Sequence, residues 1–321
     1  MSNAKALKLI KVFQQQTIFF PAFAQAYSTA CDVIDMAIAT GAVTSAIICG
    51  RSGTGKTTLS EQLQKHYALE SEEIITPEGV IYTKRTVYFE VPPPPTIKQL
   101  VETMLTGLGV NNPRGSTSRL TTVLVNRLKL MKVEVVFLDE IQRLCKPEAR
   151  KVRIATLEWL VDLANKLNKP IILIGTEGCR DITSYYESFA NRFPYMIELT
   201  LMEYEANPTS VFQLFMKTLD EVIHRLKPMK SSVHLHDAEI SAAIYVATRG
   251  NLKQINIILQ DVLLQCFQRP DELGMTTEDF LCACDPLKLH LNLCKSNPFE
   301  LTLEQCRMLI NSVEKIPFPT E

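Results

Sequence analysis

The eight residues Gly50–Thr57 (GRSGTGKT) constrain this chain most strongly, because they match the pattern G-x-x-x-x-G-K-[ST] at every position. The apolar run Thr44–Cys49 before them predicts a β-strand, and Lys56–Tyr67 after them has helical character. Glycines let such a loop curl so that its N–H groups point at phosphate oxygens, and the start of the following helix adds a positive dipole. The segment therefore predicts an α/β fold that binds a nucleotide by its phosphates.

The side chains of this Walker A loop have predicted parts in binding ATP and Mg²⁺. Lys56 is expected to reach the β- and γ-phosphates, and Thr57 is expected to offer its hydroxyl to the magnesium ion. The predicted cofactor-binding residues of the loop are Gly50, Arg51, Ser52, Gly53, Thr54, Gly55, Lys56, Thr57 and Thr58.

A second motif, Val135–Glu140 (VVFLDE), is an apolar strand that ends in two carboxylates, the Walker B pattern. Asp139 is expected to hold the magnesium shell together with Thr57, and Glu140 is expected to polarise the attacking water as general base. The second acid favours water over a metabolite as phosphoryl acceptor. The motif therefore predicts an ATPase that converts ATP and water to ADP and phosphate, with a small-molecule kinase as a disfavoured alternative.

Predicted strands alternate with predicted helices as far as about Leu201, and only helical periodicity follows. This pattern predicts an α/β P-loop NTPase fold with a doubly wound parallel sheet and a C-terminal helical subdomain. The strands expected after the first are Thr86–Val91, Val133–Leu138, Pro170–Ile174 and Tyr195–Leu199. The predicted domains are an N-terminal helical segment packed near the nucleotide (1–43), the α/β core (44–204), the helical lid (205–284) and a tail that could dock a partner (285–321).

The net charge of −1 provides no global field that would attract nucleic acid, so any DNA contact must be local. Two segments are basic: Lys98–Lys132 has a net charge of +5, and Gln142–Arg153 a net charge of +4. Taken alone, each is more typical of a solvated helix face than of a binding site.

No segment is apolar enough to span a bilayer, and the first 20 residues lack a signal-peptide pattern, which predicts a cytoplasmic protein. The nine cysteines show no C-x2-C pair and are expected to be reduced. The group Cys282, Cys284, His290 and Cys294 has a spacing that makes joint zinc ligation awkward, and His234 and His236 are expected on solvated surface.

The order of several segments resembles the TniB/TnsC family of AAA+ ATPases, which regulate transposition. These segments are the strand and proline run TVYFEVPPPPTIKQLVETML, the GTGKT loop, the LDE strand, IGT at Ile174–Thr176 and NRF at Asn191–Phe193. The resemblance covers about Phe19–Leu264, and it implies a P-loop NTPase fold of AAA+ type in which the C-terminal helical subdomain is the lid. It implies that Thr176 is sensor 1, beside the γ-phosphate, and that Arg192 is an arginine finger completing a neighbouring subunit's site, with Arg180 as second choice.

The resemblance implies further sites. Lys253 stands near the sensor 2 position, where many AAA+ proteins have arginine, and Arg249 is the alternative. Phe20 resembles the segment that packs near the adenine. The residues implied to contact the backbone of double-stranded DNA are Lys98, Arg114, Arg119 and Thr121.

The family likeness implies a bacterial cytoplasmic regulator that assembles on target DNA as a ring or helical filament when ATP is bound. It would link a target-selection protein of TniQ type to a transposase, and hydrolysis would drive disassembly. Two other AAA+ functions stay open. One is a replication initiator or helicase loader, and the other is a protein remodeller, although Thr103–Asn112 lacks the aromatic pore residue of remodellers.

Overall fold

The computed structural model describes residues 3–41, 44–68, 70–76, 79–93, 96–144, 150–230, 232–269 and 273–312. They form two compact units. We call Ala22–Ser52 with Lys56–Leu199 the sheet unit, and Met1–Pro21, Gly53–Gly55 and Thr200–Glu321 the helical unit.

The sheet unit is built on five parallel strands in the order β4-β5-β6-β1-β7. Every residue of β1, β5 and β6 is buried, which fits their almost continuous apolar sequence and requires cover on both faces. The strands are β1 (Ala46–Cys49), β4 (Thr86–Glu90), β5 (Val135–Asp139), β6 (Ile171–Gly175) and β7 (Tyr195–Glu198). The covering helices are α2 (Pro21–Thr40), α3 (Lys56–Tyr67), α4 (Ile97–Gly107), α5 (Thr117–Leu130), α6 (Arg150–Leu167) and α7 (Glu187–Arg192).

The predicted doubly wound parallel sheet is confirmed, and each predicted strand overlaps an observed one. An antiparallel hairpin of β2 (Glu73–Thr76) and β3 (Gly79–Tyr82) was not predicted. Its strands have four residues each, and Ile75 is 86% exposed, so they lack the buried alternation that marks longer strands. Two 3-10 helices, Ile141–Leu144 and Glu177–Tyr185, were also not predicted.

The helical unit contains α1 (Asn3–Gln14), α8 (Val211–Leu226), α9 (Ala238–Thr248), α10 (Leu252–Gln268), α11 (Thr277–Cys284) and α12 (Leu303–Asn311). Polar N-caps begin four of these helices: Ser210, Asn251, Thr276 and Thr302 each accept a hydrogen bond from the N–H three residues later. Across the described residues, no helix is both long enough and apolar enough to cross a membrane.

Candidate nucleotide site

The loop between β1 and α3 has the backbone shape expected of a phosphate cradle. Gly53 and Gly55 have φ values of 80° and 96°, in a region that glycine enters without steric cost. Thr54 is 1% exposed, whereas Thr57 on the first turn of α3 is exposed. The loop is therefore anchored in the protein at its tip and presents a hydroxyl to a ligand at its end.

The Lys56 ammonium lies against the loop that it follows. Its Nζ donates to the carbonyl oxygens of Gly50 and Arg51, both at 2.7 Å. These bonds hold the cation beside the backbone turn that the motif assigns to phosphate, which is where a β- or γ-phosphate oxygen would need it.

Three strand ends carry the remaining predicted groups to one edge of the sheet. The parallel neighbours β1, β6 and β5 pair with Cys49 opposite Gly175 and Leu138 opposite Leu173. The Walker A loop, Thr176 and the Asp139–Glu140 pair therefore all follow the carboxyl ends of adjacent strands. Ligands of open parallel sheets bind at this edge.

Two hydrogen bonds orient the Asp139 carboxylate, which belongs to a residue only 8% exposed. Oδ2 accepts from the Tyr88 hydroxyl at 2.5 Å, and Oδ1 accepts from the Glu140 N–H at 2.6 Å. Burial, followed by the bond to Asp139, raises the pKa of Tyr88, so the phenol stays a donor at neutral pH. The Asp139 carboxylate and the Thr57 hydroxyl are hard oxygen ligands of the kind that Mg²⁺ prefers, so these residues fit the ion.

The Glu140 backbone is strained, and its carboxylate already has two side-chain partners. Its φ of 61° lies in the left-handed region, which costs a non-glycine residue about 1 kcal/mol. Oε2 accepts from Gln142 Nε2 at 2.8 Å and lies 3.3 Å from Arg143 Nη2. One of its two carboxylate oxygens is thus already engaged by two donors.

Gln142 and Arg143 connect Glu140 to the two neighbouring strand ends. The Gln142 Oε1 accepts from the Thr176 N–H at 3.2 Å, so one amide side chain bridges the sensor 1 position and Glu140. Arg143 Nη1 lies 2.8 Å from Glu90 Oε1, at the end of β4. Neither side chain was predicted from the sequence, although their spacing of two and three residues after Glu140 was a usable signal.

The two candidate arginine fingers differ in their contacts. Arg180 pairs with Glu198 at two points, Nε to Oε1 at 3.0 Å and Nη2 to Oε2 at 3.1 Å, and this carboxylate raises the Arg180 pKa. Arg192 ends α7, is partly exposed, and its carbonyl accepts from the Ser45 N–H at 2.9 Å. Arg180 would have to break its ion pair to reach another subunit, and both assignments stay predictions.

Three of the four residues predicted to contact DNA are exposed. Lys98 lies in the first turn of α4 and Arg119 in the first turn of α5, while Arg114 lies in the loop between them. Lys98 pairs weakly with Glu102 at 3.8 Å, with half of its side chain exposed. Helix N-termini attract anions, so this placement suits phosphate contacts. We call Lys98, Arg114 and Arg119 the basic surface.

Thr121 differs from the basic surface, because it is 3% exposed. Its hydroxyl donates to the Thr117 carbonyl at 2.9 Å and accepts from Trp159 Nε1 at 3.1 Å. The hydroxyl hydrogen that a phosphate would need is already used within the core. These contacts give Thr121 a structural role, and its predicted contact with DNA stays a prediction.

The second basic segment also differs from a solvated helix face. Arg143 is paired as described above, and Arg153 is 7% exposed, with its guanidinium 3.8 Å from the centre of the Tyr185 ring. Lys146 lies outside the described residues. At least two of the five basic side chains in this segment are therefore engaged within the protein.

In the helical unit, the start of α10 contacts Gly53 of the Walker A loop. The Lys253 N–H donates to the Gly53 carbonyl at 3.4 Å, and a Cβ on Gly53 would come within 2.2 Å of Asn251 Oδ1. The Lys253 side chain is exposed, whereas Arg249 is 3% exposed with a φ of 49°. The choice between them as sensor 2 stays a prediction, but Asn251 is a neighbour of the loop that was not predicted from the sequence.

Phe20 is 8% exposed and packs edge-on against Phe215 of α8, with ring centres 5.8 Å apart. This contact is a hydrophobic corner of the helical unit. The proposed contact of Phe20 with adenine stays a prediction.

Comparisons with known proteins identify both a family and a fold. A family model described as bacterial TniB protein matches residues 8–201. The Aeropyrum pernix ORC1 protein in complex with DNA shares 15% identity, with 94% of this chain and 84% of that chain covered and a TM-score of 0.54. The Aeropyrum pernix ORC2 protein in ADPNP–ADP complexes shares 15% identity, with 89% of this chain and 74% of that chain covered and a TM-score of 0.57.

Pyrobaculum aerophilum CDC6p is also similar in fold, with 17% identity, 75% of this chain and 60% of that chain covered, and a TM-score of 0.51. No curated protein sequence matches the chain. At such identities the structural likeness concerns the fold alone, and that fold is the AAA+ P-loop ATPase fold, with a helical C-terminal region.

Proposed function

This chain belongs to the TniB family, and from that premise we propose that it is an ATP-dependent, DNA-binding AAA+ regulator of transposition. The family match carries the proposal. The arrangement of the Walker A loop, Asp139, Glu140 and Thr176 at one sheet edge supports an ATPase cycle within that role.

Each residue of the site has a proposed part in the cycle. Lys56 and the loop N–H groups bind the phosphates of ATP, and Thr57 with Asp139 holds Mg²⁺, which when bound neutralises phosphate charge. Glu140 takes the proton of the attacking water. Its Oε2 is held by Gln142 and Arg143, and release of these donors would make this oxygen available to the water as well. Arg192 of one subunit serves the site of the next, so hydrolysis depends on assembly.

The basic surface is the proposed contact of the protein with duplex DNA. Lys98, Arg114 and Arg119 are exposed cations, and they suit phosphate contacts that position without reading sequence. We propose that ATP binding stabilises a ring or filament on DNA, which links a target selector of TniQ type to a transposase. Hydrolysis then drives disassembly.

Electron microscopy of the purified chain with linear duplex DNA tests assembly. The sample is imaged with and without a non-hydrolysable ATP analogue, and Lys56→Ala is the matched control. We expect rings or filaments on DNA that need the analogue and disappear in the variant. Nucleotide binding without DNA-dependent assembly would contradict the proposal.

The salt dependence of DNA binding tests the basic surface separately. The variant Lys98→Ala/Arg114→Ala/Arg119→Ala should lower the slope of log affinity against log salt by about 3, because each phosphate that a cation neutralises adds about 0.9 to that slope. A matched control removes three exposed lysines of α1, namely Lys5, Lys8 and Lys11, and should leave the slope unchanged. Equal DNA binding by the first variant and the wild type would remove the basic surface from the proposal.

A replication initiator or helicase loader is the second candidate, favoured by the coverage of 94% of this chain in the likeness to an ORC1 protein solved with DNA. The two roles differ in the partner that the DNA-bound form recruits. Stimulation of strand joining by a transposase would support the first role, and recruitment of a replicative helicase would support the second.

A further inference from the structure

Outside the nucleotide site, the helical unit gathers three side chains that can ligate a metal. Asp220 and His224 lie on α8, and His234 lies in the segment that leads to α9. One ligand atom from each residue falls within 4.8 Å of the others. The spacing of four residues between Asp220 and His224 places both on one face of the helix.

The distances between these atoms are those of a small coordination sphere. Asp220 Oδ2 lies 2.8 Å from His234 Nδ1 and 3.4 Å from His224 Nδ1. Ligand atoms of tetrahedral zinc, each about 2.0–2.2 Å from the ion, stand about 3.3 Å apart. These two distances are therefore close to the separation of zinc ligands, and His224 Nδ1 would have to leave the Asp220 backbone carbonyl, 3.0 Å away, to bind an ion.

The surroundings of the cluster support ligand positions and leave a path to solvent. The Asp220 side chain is 6% exposed, and its Oδ1 accepts from the Leu235 N–H at 3.0 Å, which fixes the carboxylate. A bonded carboxylate of this kind is typical of metal ligands. The His234 side chain is 45% exposed, so an ion can enter from that side and a water can fill a fourth position.

We propose that Asp220, His224 and His234 form a Zn²⁺ site that fastens the 232–237 segment to α8. Two imidazoles and one carboxylate suit zinc, whereas Mg²⁺ and Ca²⁺ prefer oxygen ligands alone. Binding requires each imidazole to present a lone pair at the nitrogen that faces the ion. In a neutral imidazole the proton then sits on the other ring nitrogen, so His234 gives up its Nδ1 hydrogen bond to Asp220 Oδ2, and His224 gives up its Nδ1 contact with the Asp220 backbone carbonyl if it binds through Nδ1. Without a metal, the same contacts reduce to hydrogen bonds that hold the segment.

The test is zinc titration of the full chain without an affinity tag, after chelator treatment, with excess Mg²⁺ to occupy oxygen-rich sites. We expect one zinc per chain by calorimetry and a higher melting temperature with zinc. We also expect Co²⁺ to give the visible absorption of a tetrahedral nitrogen–oxygen site. Absence of saturable zinc binding in the wild-type chain would overturn the proposal without any variant.

Variants locate the site. His224→Ala and His234→Gln should each weaken zinc binding by about 100-fold or more, and glutamine keeps a hydrogen-bonding group beside Asp220 if the alanine variant folds poorly. His66→Ala and Cys282→Ser are matched controls, because His66 is an exposed histidine of the sheet unit and Cys282 is an exposed thiol. Zinc binding that survives in His234→Gln but is lost in Cys282→Ser would overturn the assignment.

Discussion

Glu140 at the sheet edge and Asp279 in the helical unit are carboxylates that are held in different ways. Glu140 is bound by the side chains of Gln142 and Arg143, and its side chain is 37% exposed. Asp279 is 1% exposed, accepts from the backbone N–H of Thr276 at 2.8 Å, and forms a two-point ion pair with Arg269.

This difference separates a group that can change partners from one that cannot. Side-chain partners of an exposed carboxylate exchange by rotation about side-chain bonds. A carboxylate that closes a helix capping box is released only when the helix end opens. We therefore expect substitutions at the sheet edge to change catalysis with little loss of stability, and substitutions in the helical unit to do the reverse.

The largest effect should come from Glu140→Gln. The amide cannot accept the proton of water, so we expect ATP hydrolysis to fall about 10²- to 10⁴-fold while nucleotide affinity stays close to that of the wild type. Phosphate release and nucleotide titration measure the two quantities. The variant should also keep assemblies on DNA for longer, because hydrolysis is proposed to release them.

Glu158→Gln, at an exposed position of α6, is the matched control and should hydrolyse ATP normally. Normal hydrolysis by Glu140→Gln would show that another group is the base.

The next largest effect should be the loss of stability in Gly250→Ala. Gly250 has a φ of 74°, and an added Cβ would lie 2.0 Å from the Met202 carbonyl oxygen, which is backbone and cannot rotate away. The left-handed conformation and the overpacking together should cost about 3 kcal/mol. Gly178→Ala is the control, since its nearest neighbour lies at 3.8 Å, and its unfolding free energy should change by less than about 0.5 kcal/mol.

Denaturant titration with two probes shows which unit is affected by Gly250→Ala. Trp159 is the single tryptophan of the chain and belongs to the sheet unit, so its fluorescence reports on that unit, whereas circular dichroism follows all helices. The circular dichroism transition should move to lower denaturant. If neither the fluorescence nor the circular dichroism transition moved, the backbone around Gly250 would have to be able to rearrange to accept the added Cβ.

The predictable part of the site is the part that is local in sequence. The loop Gly50–Thr57 and the pair Asp139–Glu140 each combine a strand signal with the polar residues that follow it, and parallel pairing then brings them to one edge. The partner Tyr88 could not be assigned in the same way, nor could the contacts of Gln142 with Thr176 and of Arg143 with Glu90. These contacts depend on the register between neighbouring strands, and a single sequence does not give that register.

Two contacts that were not predicted from the sequence have the same physical origin. Thr121 follows Leu120 on α5, and helix geometry turns both toward the core, where the indole of Trp159 meets the threonine. His234 was expected on solvated surface, and its side chain is 45% exposed, but it also contacts the carboxylate of Asp220, fourteen residues earlier in the chain. Neither contact leaves a local signal, since each depends on how one element packs against another.

Thr121→Val tests whether this threonine is structural. Valine keeps the shape but leaves the buried Trp159 N–H without its acceptor, which should cost about 1–2 kcal/mol of unfolding free energy. The salt slope of DNA binding should not change. Thr122→Val is the control, because the Thr122 side chain is exposed. The unfolding free energy of this variant should hardly change. A lower DNA affinity in Thr121→Val than in Thr122→Val would support a contact between Thr121 and a DNA phosphate.

The smallest effect, and the sharpest test of exchangeable partners, is expected at Arg143. Arg143→Gln removes the guanidinium, which is one of the two donors on Glu140 Oε2. This oxygen should then become available to the attacking water more often than in the wild type. The pair is partly exposed and screened, so we expect ATP hydrolysis by the DNA-bound assembly to rise by about fivefold, equivalent to about 1 kcal/mol. Steady-state phosphate release measures the change.

Glu90→Gln should act in the opposite direction, because Arg143 would lose its second carboxylate and bind Glu140 more firmly. Hydrolysis in this variant should stay at the wild-type rate or fall below it. If Arg143→Gln instead slowed hydrolysis, the guanidinium would be holding Glu140 in its working position. The side-chain contacts of the sheet edge would then be as fixed in function as the backbone-bound carboxylates of the helical unit.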